Sequence, residues 1–259
     1  MKLTFLGTGS AFTVSGNYHS NMILESDTKK ILLIDCGSDA RHALNELGLS
    51  YRDIHSVYIS HLHADHVGGL EWLAFTAKFD PAIQKPNLFI SEHLVRDLWD
   101  KTLSGGLSSI QDEVVTLSSF FHVHAVKEQG FFNWEKTKFT LIQTLHVMSG
   151  HAILPSYGLM FAANDSNVFI TTDTQYRPHQ IHDFYDSANI IFQDCETSET
   201  KSHVHAHYDE LVTLPEHIKE KMWLYHYNPC KLPDAARDGF RGFVQKGQCF
   251  DFSDKDTLF

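Results

Sequence analysis

The 259-residue chain is 42% hydrophobic, enough to bury a full core as one large domain or two small ones. Lysines and arginines number 21 against 32 aspartates and glutamates, a formal charge of −11 that disfavours long-range attraction to nucleic acid or an anionic membrane. The four cysteines form no CxxC pair, which argues against a disulfide framework or thiolate zinc finger, and no apolar run approaches bilayer length; a soluble, cytoplasmic protein is expected.

In chain order, "KLTFLGTG", "NMILES" and "KKILLIDCG" read as short strands closed by glycine or polar turns. "DARHALNELG" reads as a helix with Leu44 and Leu47 inward and Gly48 as its stop, and "IHSVYIS" as a strand running into the cluster "HLHADH" and a helix that begins at "VGGL". Further strands are expected at "NLFIS", "FHVHAV", "KFTLIQTLH", "YGLMFAA", "NVFITTD", "NIIFQD" and "MWLYHY". Helices are expected near "SEHLVRDLWDK" and "YDELVTLPEHIKEK". No repeat or linker divides the chain, so residues 1–259 are expected to form one α/β domain.

The chemistry-bearing residues collect where strands end: His61, His146, Asp173, Asp194 and His226 each follow an apolar run. Loops beyond the edge of a rigid sheet are where α/β proteins place their sites, so these five point to one converging site. His61 and His63 project to one side of an extended segment, and Asp65 and His66 lie where the chain turns into a helix. Neighbours facing different ways can serve two metal ions. Imidazoles and carboxylates without thiolate suit zinc, or manganese where oxygen ligands dominate. The chain has 18 histidines, far more than packing needs. In "QTLHVMSGHAILPSYGLMF" two histidines compete as third ligand: His146, supported by a strand, is preferred over His151.

"SHLHADHVGG" resembles the signature of the metallo-β-lactamase fold superfamily. "FLGTGSA", "NYHSNMIL" and "LLIDCG" are similar to flanking motifs of its tRNase Z-like phosphodiesterase branch, and the likeness runs on through "TTDT" and "LYHY". The resemblance implies a four-layer αββα sandwich with a binuclear zinc site at one edge. By position, His61, His63 and His146 would hold one ion, Asp65, His66 and His226 the other, and Asp173 both, with Asp35 orienting a ligand from behind. His63, where the oxygen-reducing di-iron relatives carry Glu, favours hydrolysis over redox chemistry.

Two ions about 3.5 to 4 Å apart can share a hydroxide and stabilise an in-line displacement at phosphorus, with Asp65 as ligand and general base. The leaving alkoxide needs a general acid. The resemblance places it in "KSHVHAHYDEL", with His205 preferred, Asp194 as its partner, and His203 and His207 as competitors. Between His146 and Asp173 there is room for a loop and two strands but not for the tRNA-gripping arm of precursor-processing relatives. With the acidic charge, this shifts the expected substrate from long RNA to a small phosphodiester. The layout resembles the compact anti-Pycsar phosphodiesterases, which degrade cyclic nucleotide signals; the resemblance implies hydrolysis of cyclic mononucleotides, with no long RNA or membrane partner and a homodimer as usual among the relatives. The alternatives are an RNA 3′-processing nuclease of tRNase Z type and a non-catalytic nucleotide-binding module. Tyr157, Tyr176, Tyr225 and Tyr227 near the site are expected to pack in the core rather than stack on a base.

Overall fold

The computed structural model describes residues 1–14 and 16–254; the last five residues of the expected domain lie outside them. Two seven-stranded sheets carry the chain. The first has the order β14-β1-β2-β3-β4-β5-β6, built from β1 (Lys2–Phe5), β2 (Met22–Glu25), β3 (Ile31–Ile34), β4 (Ile54–Ile59), β5 (Asn87–Ser91), β6 (His122–Val126) and β14 (Cys249–Asp251). The second has the order β13-β12-β11-β10-β9-β8-β7: β7 (Phe131–Trp134), β8 (Thr137–Ser149), β9 (Ala152–Ala163), β10 (Ser166–Ile170), β11 (Ile190–Asp194), β12 (Met222–Tyr225) and β13 (Gly242–Phe243).

The sheets share one plan. From β14 to β3, and from β7 to β10, neighbours are antiparallel; from β3 to β6, and from β10 to β13, they are parallel. Parallel strands are covered on both faces, which is why β3 ("ILLI") and β11 ("IIFQD") are buried at every position. The inner faces meet through aromatic rings: Phe5 of β1 lies 5.2 Å from Phe192 of β11, and Phe192 lies 4.8 Å from Phe250 of β14. Burying such a ring contributes about 1.5–3 kcal/mol. Beside the site, Tyr58 donates its hydroxyl hydrogen to the Tyr157 carbonyl at 2.6 Å, and the Tyr157 N–H donates to the Ser60 carbonyl at 3.1 Å.

Helices cover the outer faces. Helix Leu70–Phe79 buries Leu70, Leu73, Ala74 and Ala77, the spacing of one helical face, and packs on the first sheet. Helix Pro178–Ser187 packs Ile181 and Tyr185 with Leu211 and Ile218 over Phe169, Ile191 and Leu224 of the second. The result is the αββα order.

Four departures from the expected elements have local causes. The helix expected over "YDELVTLPEHIKEK" is two, Tyr208–Leu211 and Glu216–Lys219, because Pro215 lacks the N–H a continuous helix needs. Helix Glu92–Asp97 continues as a π-helical stretch, Leu98–Leu103, before Ser104–Leu107. The helix Pro178–Ser187 was hidden by its narrow apolar stripe, and β7, β13 and β14 by their brevity. His146 does not end its strand: β8 runs on to Ser149. Among the described residues no helix is long and apolar enough to cross a membrane.

Candidate metal centre

The first sheet supplies four of the candidate ligands from one turn. Strand β4 ends at Ile59, and the next residue, Ser60, donates its N–H to Asp35 Oδ1 at 2.8 Å and its hydroxyl hydrogen to Asp35 Oδ2 at 2.7 Å. Asp35 also takes the Nδ1–H of His66 at 2.7 Å, which aims His66 Nε2 into the site. Asp35 also makes the turn after β3, with φ +60°. His61 Nδ1 lies 3.1 Å from Ser60 Oγ, and its Nε2 lies 3.0 Å from His63 Nδ1. Gly37 is needed for this packing, because a Cβ there would collide with the Asp65 carbonyl.

The second sheet supplies the rest. Pairing of β8 with β9 slips between Leu145 and Val147, so His146 occupies a bulge and leaves the ladder. Bulges re-aim side chains beside sites: His146 donates Nδ1–H to the Val204 carbonyl at 2.8 Å and places Nε2 3.1 Å from His63 Nδ1. Asp173 follows β10 after Thr172 (φ +53°), and His226 follows β12 with φ +65°. Backbone in this region is strained for residues other than glycine, at a cost of about 1–3 kcal/mol each. Ser20 Oγ lies 2.6 Å from His226 Nδ1 and fixes that ring.

Asp173 Oδ2 is the hub. It lies 3.3 Å from His66 Nε2, 3.4 Å from His226 Nε2, 3.6 Å from His61 Nε2 and 3.7 Å from His146 Nε2. Asp65 Oδ2 is 3.2 Å from His66 Nε2 and 3.9 Å from His226 Nε2. Two sets of side chains, His61/His63/His146/Asp173 and Asp65/His66/Asp173/His226, each bring their ligand atoms within 4.8 Å of one another. Buried and without a hydrogen-bond partner are His66 Nε2, His226 Nε2 and Asp173 Oδ1. Buried polar atoms normally find partners, and unpartnered imidazole and carboxylate atoms in one cluster form a donor set suited to a borderline dication. The residues therefore fit a metal centre.

The electrostatics suit ligation at four of the five rings. Burial pushes His61 well below the usual imidazole range, His146 down to about 4, and His63 and His226 down as well, so these rings are neutral and free to ligate at neutral pH. Burial also pulls on His66, but the carboxylates of Asp173, Asp65 and Asp35 outweigh it and raise it well above that range. Burial would raise Asp173, yet His226, His66 and His61 hold it well below the ordinary carboxylate range.

His205 sits at the rim. Its Nδ1 lies 2.9 Å from Asp194 Oδ2 and 3.9 Å from Asp173 Oδ2, and the Thr174 N–H donates to the same Asp194 oxygen at 2.9 Å. Burial lowers His205, but Asp194 more than offsets it, and the ring is raised to about 9. The competitors are placed elsewhere. His207 caps helix Tyr208–Leu211, with Nδ1 accepting from the Asp209 N–H and Nε2 on the Ser198 carbonyl. His203 is exposed at φ +63°, and His151 is exposed at the tip of the β8–β9 hairpin. Tyr157, Tyr225 and Tyr227 are buried, and half-buried Tyr176 bonds Thr213 Oγ1 at 2.8 Å. Sequence reasoning missed Ser20, Ser60 and the Val204 carbonyl, whose orienting roles carry no pattern along the chain.

This arrangement of two sheets with a His/Asp cluster at their edge is that of a metallo-β-lactamase-fold protein. Its fold is similar to the crystal structure of the metallo-β-lactamase fold protein YhfI from Bacillus subtilis (TM-score 0.72, 17% identity, 96% of this chain and 98% of that one). It is also similar to human tRNase Z, short form (TM-score 0.70, 19% identity, 97% and 99%). The chain belongs to the Anti-Pycsar protein Apyc1 family, whose profile matches residues 1–250. It is 39% identical over 249 residues to the Anti-Pycsar protein Apyc1 of Paenibacillus harenae (95% of this chain, 97% of the relative). With that of Bacillus phage vB_BsuM-Goe3 it shares 32% over 258 residues (95% and 96%).

Proposed function

We propose that the protein is a binuclear metal-dependent phosphodiesterase that hydrolyses cyclic mononucleotides to linear monophosphates. The observation that carries the reading is the convergence of six ligand side chains from two sheets on Asp173, with the His205–Asp194 pair at the rim. His61, His63 and His146 would hold one ion, Asp65, His66 and His226 a second, and Asp173 would serve both; zinc fits this donor set best, and manganese is the alternative. When bound, the ions supply Lewis-acid polarisation of the phosphoryl group and an activated water at neutral pH.

The chain's own residues do the remainder. Asp65 accepts the proton of the attacking water. His205, its Nδ1 side held by Asp194, presents the opposite ring edge to the leaving oxygen and gives it a proton. Family membership supports a nucleotide-like substrate, and the short His146–Asp173 segment, filled by the β8–β9 hairpin and β10, supports a small one. The reading includes one domain over residues 1–259, a homodimer in solution and a cytoplasmic location.

The test compares kcat/KM for cyclic mononucleotides and for precursor tRNA at one ionic strength, since salt alone alters RNA affinity, with metal content measured on the same sample. Two metals per chain and a preference for the cyclic nucleotides are expected. Efficient 3′ trimming of tRNA with inert cyclic nucleotides would replace this substrate with RNA; bound nucleotide with no turnover would make the protein a binding module.

A further inference from the structure

One wall of the metal centre is built by residues that the hydrolytic machinery does not use. A cavity of about 460 Å³ opens over the site and is lined by Phe12, His19, His63, Asp65, Asp173 and His205. Its size falls in the range of small-molecule pockets, roughly 300–1,000 Å³. Phe12 and His19 face the catalytic residues from the loop joining β1 and β2.

His19 is held firmly. Gly9 donates its N–H to the Tyr18 carbonyl at 3.0 Å, Ser20 returns one to the Gly9 carbonyl at 3.1 Å, and Ser10 donates to the Tyr227 carbonyl at 3.2 Å. These bonds pin both ends of the loop to each other and to the second sheet. Gly7 permits the close crossing, since a Cβ there would strike the Tyr18 and His19 carbonyls. The His19 N–H donates to Asp39 Oδ2 at 3.0 Å, and its ring Nδ1 lies 3.1 Å from Asp39 Oδ1. A carboxylate beside Nδ1 favours the tautomer with its proton there, which leaves Nε2 as an acceptor without a partner among the described residues. An imidazole with a carboxylate oxygen 3.1 Å from its Nδ1, held through its own backbone N–H, thus lines the same cavity as His205, whose Nδ1 bonds Asp194.

Phe12 differs from the other phenylalanines near the site. Its side chain is 81% exposed at the cavity rim, whereas Phe5, Phe192 and Phe250 are fully buried. An exposed ring stabilises nothing in the fold, and it offers a flat apolar face to whatever enters.

We infer that this loop is the nucleoside-binding wall of the site: His19 Nε2 accepts a hydrogen bond from the free ribose hydroxyl of a cyclic nucleotide, and Phe12 stacks on its base. The inference rests on the function proposed above and names its recognition residues. Stacking on a ring is tolerant of base identity, so the wall selects a ribonucleoside without reading which base it carries. His19 is a positioning residue, and its loss acts on KM more than on kcat.

The experiment measures kcat and KM of the metal-loaded protein for cyclic AMP, its 2′-deoxy analogue and bis(p-nitrophenyl) phosphate, which has neither ribose nor base. The wild type is expected to favour cyclic AMP over the deoxy analogue by about three- to tenfold, the worth of one hydrogen bond. His19→Ala should erase that preference, and His19→Gln, which keeps an acceptor, should restore part of it. Phe12→Ala should lower the ratio of cyclic AMP to bis(p-nitrophenyl) phosphate kcat/KM about tenfold. Leu154→Ala, in the neighbouring cavity on the hairpin side of His63, is the control and should leave that ratio unchanged. No ribose preference in the wild type, a preference that survives in His19→Ala, or a ratio that falls with Leu154→Ala instead of Phe12→Ala overturns the inference. Turnover of the nitrophenyl ester with none of any cyclic nucleotide overturns the substrate reading itself.

Discussion

At the scale of single residues, the site is a balance of charge around one carboxylate. Asp173 Oδ2 stands within 4 Å of five imidazoles, and among the described residues Asp173 alone belongs to both the His61/His63/His146 and the Asp65/His66/His226 groups. Asp173→Ala should therefore remove both metals and the activity together, since ligands act as a unit in metal binding; elemental analysis of the purified variant that still finds two ions per chain would contradict this. His205 differs in its hydrogen bond, made to Asp194 Oδ2 at 2.9 Å, with Asp173 Oδ2 farther off at 3.9 Å. His205→Ala should keep both metals while turnover of cyclic nucleotides falls by about a hundredfold to ten-thousandfold. Nitrophenyl esters should lose much less, because their leaving group needs little protonation. Equal losses on both substrates would remove His205 from the role of acid.

At the scale of elements, the β8–β9 hairpin gives different surroundings to two histidines that the sequence leaves close together. The slip between Leu145 and Val147 turns His146 out of the ladder towards His63, while His151 rides on the exposed tip. A strand with regular alternation would have kept His146 in register with its neighbours. His146→Ala should lower the metal content from two ions towards one, and His151→Ala should leave it at two; metal titration followed by calorimetry separates them. The reverse result would place the ligand at the tip.

At the scale of the whole molecule, the candidate ligands divide between the sheets: His61, His63, Asp65 and His66 follow β4, and His146, Asp173 and His226 belong to the second sheet. A metal held by both fastens one half of the sandwich to the other, and anything that binds only the folded state raises its stability, by about 2.7 kcal/mol at a hundredfold excess over Kd. Chelation should lower Tm by roughly 5–10 °C for a chain of this size, and zinc should restore it. An unchanged Tm in protein shown to be metal-free would mean that the sandwich holds without the centre.

Much of this was legible in the chain. The apolar runs set out most of the strands, because parallel strands buried on both faces must be apolar throughout, and "HLHADH" with His146, Asp173 and His226 marked the metal chemistry, because ligand types cannot be substituted freely. The break between two helices at Pro215 was legible too, since proline lacks the N–H a continuous helix needs. The preference for His205 over His203 and His207 came from the resemblance and not from local pattern, since all three share one polar loop and only the fold brings Asp194 to one and a helix N-terminus to another. The same holds for Asp39 beside His19, for Ser20 beneath His226 and for the bulge at His146. Residue types and local periodicity reside in the sequence, but which carboxylate meets which imidazole depends on contacts between segments far apart in the chain, and those exist only once the two sheets have packed.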